Sequence, residues 1–153
     1  MSLLTRTSMF FALVALSGVA VAADDDVLGT YWLPGPDRDG QVEIYEKGGV
    51  YEGRISWFVD PNAVDENNPD PELRKQALVG SFVFEKFEYN EKKDRWENGT
   101  IYDGGSGSVY KSRMWFEDGD LGVLMVRGYI GAPLFGRTEK FIRVPANEIN
   151  SVE

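Results

Sequence analysis

The chain has 153 residues and a formal net charge of −9, with 25 acidic against 16 basic residues and no cysteine or histidine. An acidic chain is unsuited to nucleic acid because phosphate contacts need a basic surface, and we also expect it to avoid anionic membranes. Without cysteine it forms neither a disulfide nor a thiolate zinc site, and without histidine it lacks the commonest transition-metal ligand. We therefore predict no metal and no cofactor.

The N-terminal segment predicts export. Arg6 precedes an apolar run over residues 9–21, and Ala20-Val21-Ala22 supplies the small residues that signal peptidase requires. We predict a cleaved secretory signal over residues 1–22, a single domain over residues 23–153 and a periplasmic location. The apolar run is too short for a membrane span, although an uncleaved anchor helix is the alternative.

The mature segment alternates strand-length apolar runs with glycine-rich and polar turns. The acidic leader Asp24–Asp26 is predicted to be disordered, and residues 60–72, rich in proline and acidic side chains, to form a long loop. Alternation places Trp57 on the same strand face as Tyr51 and Ile55. The eight predicted strands cover residues 27–33, 41–46, 50–59, 78–89, 95–102, 107–116, 121–130 and 136–144.

This series of short strands predicts an all-β protein. We expect a small closed antiparallel barrel of about eight strands, which is wide enough for side chains or for one small ligand. A membrane barrel is the exported alternative. It needs an unbroken apolar outer face, however, and Lys111 and Arg113 interrupt the sixth strand.

An ordered set of motifs spans nearly the whole mature chain. The motifs are Gly29-Thr-Tyr-Trp32, Val42-Glu-Ile-Tyr-Glu, Asn68-Pro-Asp-Pro, Trp96-Glu-Asn-Gly99-x-Ile-Tyr-Asp103, Gly107-x-x-Tyr110 and Val126-Arg-Gly-Tyr-Ile-Gly131. The set resembles the lipocalin-like bacterial family catalogued as domain of unknown function 2147. The resemblance implies a calycin-like barrel in the periplasm, with ligand carriage as the usual suggestion for its function.

Two features depart from the pattern of relatives. Many members of the family look to carry a cysteine pair around the hairpin of the third strand, where this chain has Lys47 and Glu52. Lipocalins begin with Gly-x-Trp, whereas here an extra residue separates Gly29 from Trp32. By analogy with lipocalins we expect Trp32 to close the base of the barrel by stacking under Arg143.

Arginine and aromatic residues provide the candidate binding site. Arg127 and Arg137 fall in adjacent strands, and an apolar cavity that held both guanidinium groups would suit an amphipathic anion such as a fatty acid. The structural alternative is that they pair with Asp103 and Glu139 as internal braces. Aromatic residues in such strands are equally typical of a core. The predicted ligand-binding residues are Trp57, Phe84, Tyr110, Arg127, Tyr129 and Arg137.

Three hypotheses for function follow. The leading one is a non-enzymatic periplasmic barrel that carries a small hydrophobic or amphipathic molecule. The second is a protein-interaction or envelope-structural module that uses an exposed apolar strand face or loop 60–72, with self-association through Phe58 or Trp115. The third is a glycosidase in which Asp103 and Glu139 are the paired carboxylates. The sequence leaves ligand identity, partner proteins and oligomeric state open.

Overall fold

The structure is a computed structural model that describes residues 23–150. The predicted signal segment, residues 1–22, lies outside the described residues. Each of the eight strands overlaps one predicted from the sequence, and four short 3-10 helices accompany them in the described chain. The strands are β1 Gly29–Trp32, β2 Gly40–Lys47, β3 Val50–Phe58, β4 Phe82–Asn90, β5 Arg95–Asp103, β6 Ser108–Phe116, β7 Val123–Tyr129 and β8 Arg137–Ile142.

The strands form one antiparallel sheet in sequence order, β1 to β8. Tight turns permit this order: Gly48 and Gly49, with φ of 64° and 88°, adopt the left-handed conformation that a two-residue hairpin turn between β2 and β3 requires. The two edges of the sheet also meet, because a bridge joins Tyr31 of β1 to Arg143, just after β8. The predicted small antiparallel β-barrel of about eight strands is therefore confirmed, and the barrel is nearly closed.

Aromatic rings fill the barrel at its base, which we define as the end that holds the N-terminal residues of the described chain. The ring of Trp96 lies 4.9 Å from that of Tyr89 and 5.8 Å from that of Phe116. At mid-height the ring of Phe84 lies 5.1 Å from that of Phe141. Such packing removes large apolar areas from water and dominates the stability of a small domain without disulfides.

Residues 24–26 are not the disordered leader predicted from the sequence. They begin a 3-10 helix, Asp24–Val27, that lies under the base. Val27 is fully buried, and Trp96 Nε1 donates a hydrogen bond to the carbonyl oxygen of Asp24 over 3.2 Å. The prediction from charge was wrong because the backbone carbonyl and the apolar Val27, rather than the carboxylates, make these contacts.

Arg143 closes the base, but not against Trp32 as expected by analogy. Its guanidinium carbon lies 4.8 Å from the centroid of the Tyr31 ring, and its Nη1 donates to Leu28 O over 2.7 Å. Burial raises the pKa of Tyr31 well above its usual range, so the neutral phenol donates to Val27 O over 2.9 Å. Trp32 follows Tyr31 in the strand, and alternation therefore turns it to the outer face.

Trp57 also lies on the outer face, contrary to the prediction from simple alternation. Gln41 pairs with Trp57 and Val42 pairs with Ile55, which leaves one extra residue in β3 between the two pairs. Such a bulge reverses the faces of the residues that follow it. The ring of Trp57 consequently lies edge-on to that of Trp32, with centroids 6.4 Å apart.

The predicted long loop, residues 59–81 in the structure, extends across the end of the barrel opposite the base, which we call the upper end. Asn67 Nδ2 donates to the carbonyl oxygen of Gly104, in the turn between β5 and β6, over 3.0 Å. Leu78 and Val79 pack against the core. The loop thus covers part of the upper end.

Candidate functional site

The upper end is where the inward-facing side chains are least covered. Most rings at the base and at mid-height are buried, with Tyr89 partly buried, whereas several apolar side chains nearer the upper end are only partly buried. A ligand that enters the barrel would therefore meet partly buried apolar side chains at the upper end. The partly buried apolar side chains there are Leu33, Phe58, Leu78, Val79 and Ile101.

Phe84 and Tyr110 are predicted site residues that face the interior. Phe84 is fully buried at mid-height, and a Cβ atom at Gly53 would lie 2.6 Å from its ring. Tyr110 pairs with Ile101, which itself pairs with Phe84, and Tyr110 is half-buried. A Cβ atom at Gly128 would lie 3.4 Å from that of Tyr110, so this glycine keeps the neighbouring strand close. Phe84 belongs to the core, and Tyr110 is the more exposed of the two.

Arg137 lies at the rim of the upper end. It pairs with Gly128 in the register of β7 and β8, and it shares the inner face with Glu139. Arg137 Nε lies 2.5 Å from Glu139 Oε1, and the arginine side chain is 87% exposed. The structural alternative from the sequence paired the two arginines with Asp103 and Glu139 as internal braces; Arg137 does pair with Glu139, but at the surface of the barrel. An exposed pair of this kind contributes little to stability, so its guanidinium group is free to exchange Glu139 for another carboxylate.

Arg127 lies on the outer face of β7 and fastens the loop between β7 and β8. Its Nη1 donates to Thr138 Oγ1 over 2.8 Å, while Nε and Nη2 donate to the carbonyl oxygens of Pro133 and Leu134 over 2.7 and 3.2 Å. The guanidinium groups of Arg127 and Arg137 therefore do not converge on one point.

The six predicted residues divide equally between the two faces of the sheet. Alternation could not show which face of β7 is the inner one, because Met125 on the outer face is 7% exposed and Val126 on the inner face is 1% exposed. Ligand binding by the inner residues stays a prediction. Phe84, Tyr110 and Arg137 lie on the inner face, and Trp57, Arg127 and Tyr129 on the outer face.

A buried carboxylate that the sequence did not reveal fastens the long loop. Asp65 is 4% exposed, and its two carboxylate oxygens accept hydrogen bonds from Tyr102 Oη over 2.8 and 2.7 Å. Asn68 Nδ2 donates to the same carboxylate over 2.7 Å. Burial, together with the hydrogen bond to Asp65, raises the pKa of Tyr102 to about 12, so the phenol stays a donor. The pair lies 37 residues apart in the chain, and neither residue stands in a pattern that indicates the other.

Two depressions of about 320 and 700 Å³ open on the surface at the base. Both are lined by Glu88, Tyr89 and Glu91, and the larger one also by Asp24 and Asp25. Their acidic walls would repel a carboxylate, so they do not provide the site predicted for an anion. Among residues 23–150, no group of acidic side chains is arranged to hold a metal ion.

Eight antiparallel strands in sequence order, closed around a packed base, define a lipocalin-like barrel. The same fold occurs in a solved structure described as "Protein HP1028 from the human pathogen Helicobacter pylori belongs to the lipocalin family". The TM-score is 0.68 at 22% sequence identity, over 80% of this chain and 85% of that chain. At this identity the likeness concerns the fold alone.

A match in sequence shows to which family the chain belongs. The model of a family described as "Uncharacterized protein conserved in bacteria (DUF2147)" matches residues 29–143, and the chain belongs to that family, as its motifs predicted. No curated protein matches the chain. None of the helices within residues 23–150 has the length and apolar character needed to cross a membrane.

Proposed function

We propose that the protein is an exported, non-enzymatic periplasmic carrier that binds a small apolar or amphipathic molecule, with an anionic group, at the upper end of its barrel. A lipocalin-like fold favours small-ligand binding. The observation that carries the proposal is the position of the exposed Arg137 at the rim, above inward-facing apolar side chains that are only partly buried.

The two parts of the site suit the two parts of an amphipathic anion. An apolar tail would lie against Phe58, Ile101 and Tyr110, where its burial removes further apolar surface from water. A carboxylate would bind the guanidinium group of Arg137, which offers two parallel N–H donors. The ligand would then replace Glu139 as the partner of this arginine.

The carboxylates considered for a glycosidase support binding over catalysis. Asp103 accepts hydrogen bonds from Gly105 N over 3.0 Å and from Ser106 Oγ over 2.7 Å, within its own turn. Glu139 is paired with Arg137. Both groups therefore have local structural partners.

Native mass spectrometry tests this proposal. The full chain, with its signal segment, is expressed in a bacterium and purified without detergent from the periplasmic fraction. We expect a mass adduct that an organic solvent removes, and its loss in Ile101→Trp, because the added ring fills the upper half of the barrel. Ile149→Trp adds the same bulk at a position that is 49% exposed and should keep the adduct. A folded wild-type protein without an adduct, and without uptake of fatty acid added to it, would contradict the proposal.

A further inference from the structure

The outer face of β6, β7 and β8 carries a cluster of cations on an otherwise acidic protein. Strands β6 and β7 contain no acidic residue, and Glu139, the acidic residue of β8, faces inwards. Arg113 pairs directly with Arg127 across the two strands. We call this surface the basic face, and its cations are Lys111, Arg113, Arg127 and Lys140.

Within residues 23–150, the four cations of the basic face have no carboxylate partner. The ion pairs of the described chain involve other residues, and the neighbouring Glu97 of β5 is already paired with Arg95 and Lys93. The guanidinium group of Arg113 lies 5.8 Å from the ring centroid of Trp115, and that of Arg127 binds neutral oxygens. Arg127 has a structural role in the loop between β7 and β8, but like charges directly opposite each other destabilise a sheet, so internal stability does not explain why the other cations surround it.

An exposed apolar loop adjoins the basic face at the upper end. Ile130, Leu134 and Phe135 are 75%, 79% and 81% exposed, and we call them the apolar tip. Arg127 holds this loop in place through its hydrogen bonds to Pro133 O and Leu134 O. The most exposed large apolar side chains of the described chain thus project from a loop that a basic-face residue fixes in position.

We propose that the basic face and the apolar tip together form a docking surface for an anionic phospholipid bilayer. Lipid phosphates would contact Lys111, Arg113 and Lys140, while Leu134 and Phe135 enter the interfacial region. A soluble polyanion would satisfy the cations but would leave the protruding apolar tip in water. A bilayer surface satisfies both, because it presents anionic groups and an apolar layer side by side.

The net charge of −9 alone predicts that the protein avoids an anionic membrane. At physiological ionic strength, however, charges are screened over a Debye length of about 8 Å, so the charges nearest the membrane dominate and the net charge of the whole chain counts for less. The proposal goes beyond carriage and does not depend on it. Docking through this surface would bring the upper end, where a ligand would enter, beside a lipid bilayer. Amphipathic molecules dissolved in that bilayer could then pass to the barrel.

Vesicle flotation tests the basic face. The mature protein should float with phosphatidylcholine vesicles that contain phosphatidylglycerol, should remain behind with phosphatidylcholine alone, and should be released by high salt. Charge reversal at three positions, Lys111→Glu, Arg113→Glu and Lys140→Glu, should weaken binding by at least about a hundredfold, since the loss of each cation near such a surface costs about fivefold and each new carboxylate adds repulsion. A control with the same charge change, Lys47→Glu, Lys75→Glu and Lys92→Glu, alters exposed positions elsewhere and should bind like wild type.

A fluorescent label tests the apolar tip independently. Because the chain has no cysteine, Leu134→Cys gives a single site for an environment-sensitive dye, and Ile149→Cys gives a matched control on another surface. On phosphatidylglycerol vesicles we expect a blue shift from the label at 134 and none from the label at 149. This readout needs no charge-reversed variant, so it remains informative if that variant fails to fold.

Three results would overturn the proposal. The first is a wild-type protein that does not float with phosphatidylglycerol vesicles, and the second is equal loss of binding in the basic-face variant and its control. The third is wild-type self-association, seen by sedimentation equilibrium without lipid and abolished by the basic-face substitutions, which would make this surface an interface between copies. None of these three results depends on the adduct that native mass spectrometry would detect. Failure of membrane docking and failure of ligand carriage are therefore distinguishable.

Discussion

Arg127 and Arg137 lie on neighbouring strands, yet their side chains leave opposite faces of the sheet. In the register of β7 and β8, Arg127 pairs with Thr138, and Arg137 pairs with Gly128. Arg127 binds three oxygens of the chain, whereas the side chain of Arg137 is 87% exposed beside Glu139. The two arginines therefore have separable roles, one in holding a loop and the other at the rim of the candidate site.

This separation predicts that the same substitution, arginine to glutamine, has different consequences at Arg127 and at Arg137. Arg127→Gln should destabilise the protein by about 1–3 kcal/mol because it leaves carbonyl oxygens without their donors. It should also speed amide exchange in residues 130–136. Arg137→Gln should change stability by less than about 0.5 kcal/mol, since it removes an exposed ion pair. Urea unfolding and hydrogen exchange measure both effects, and equal destabilisation by the two changes would contradict the assignment.

Arg143 should be the arginine that matters most for stability. It donates to the carbonyl oxygens of Leu121, Leu28 and Asp26 and lies over the ring of Tyr31. Arg143→Lys should cost about 2–3 kcal/mol, because a single ammonium group cannot reach three acceptors in different directions.

The control for this change is Arg38→Lys. Arg38 lies over the ring of Trp32 and has a 3.7 Å ion pair with Glu148, but its side chain is 58% exposed. We expect an effect below about 1 kcal/mol on the free energy of unfolding. A larger loss at Arg38 than at Arg143 would show that the base of the barrel is not where stability is concentrated.

Tyr102 should determine the order of the long loop. Tyr102→Phe removes the hydroxyl donor from the buried carboxylate of Asp65 and should cost about 1–3 kcal/mol. Amides in residues 59–81 should exchange faster, while those of β2 and β3 keep their protection. Tyr129→Phe removes a hydroxyl from the outer face and serves as the matched control. Unchanged exchange in the loop of Tyr102→Phe would mean that Asn67 and the packing of Leu78 suffice to hold it.

Glu97 should make stability depend on pH in the acid range. Burial alone would raise the pKa of its carboxyl group, but hydrogen bonds from Arg95, Asn90 and Lys93 lower the pKa to about 2. A carboxyl group whose pKa is lower in the folded state stabilises the protein above its unfolded value of about 4.5. That contribution disappears as the pH falls towards about 2.

Replacement of Glu97 tests this dependence. Glu97→Gln should lower the free energy of unfolding by about 1 kcal/mol at about pH 7, and the difference from wild type should shrink between about pH 4.5 and about pH 2. Glu117→Gln, at an exposed position in the turn after β6, should show no such trend. A difference for Glu97→Gln that stays constant over the acid range would contradict the assigned network.

Strand number and order were predictable because local signals determine them. Apolar runs and glycine-rich turns lie within a few residues of each other, and a meander of short strands has few ways to close. The face of the sheet to which a particular side chain points was harder to predict. The extra residue in β3 that moves Trp57 to the outer face changes the register by one position, and nothing in the run from Val50 to Phe58 marks it.

Contacts between distant residues were not predictable from one sequence. Arg143 meets Tyr31 and the backbone of residues 26–28, and Asp65 meets Tyr102, only because the barrel brings them together. The basic face escaped prediction for a related reason. Lys111 and Arg113 were recognisable as polar positions of β6, but the facing of Arg127 was ambiguous because β7 is apolar on both sides, and net charge averages over the whole chain.

The most direct test of carriage is a titration with a fluorescent fatty acid such as parinaric acid. The folded wild-type protein should bind it saturably in a one-to-one complex. Arg137→Gln should weaken binding by about tenfold through the loss of a charge-assisted hydrogen bond, while Arg38→Gln, which makes the same charge change in the loop between β1 and β2, should bind like wild type. Absence of saturable binding to the wild type, or equal affinity of the wild type and Arg137→Gln, would contradict a carrier with an anion site at the rim of its barrel.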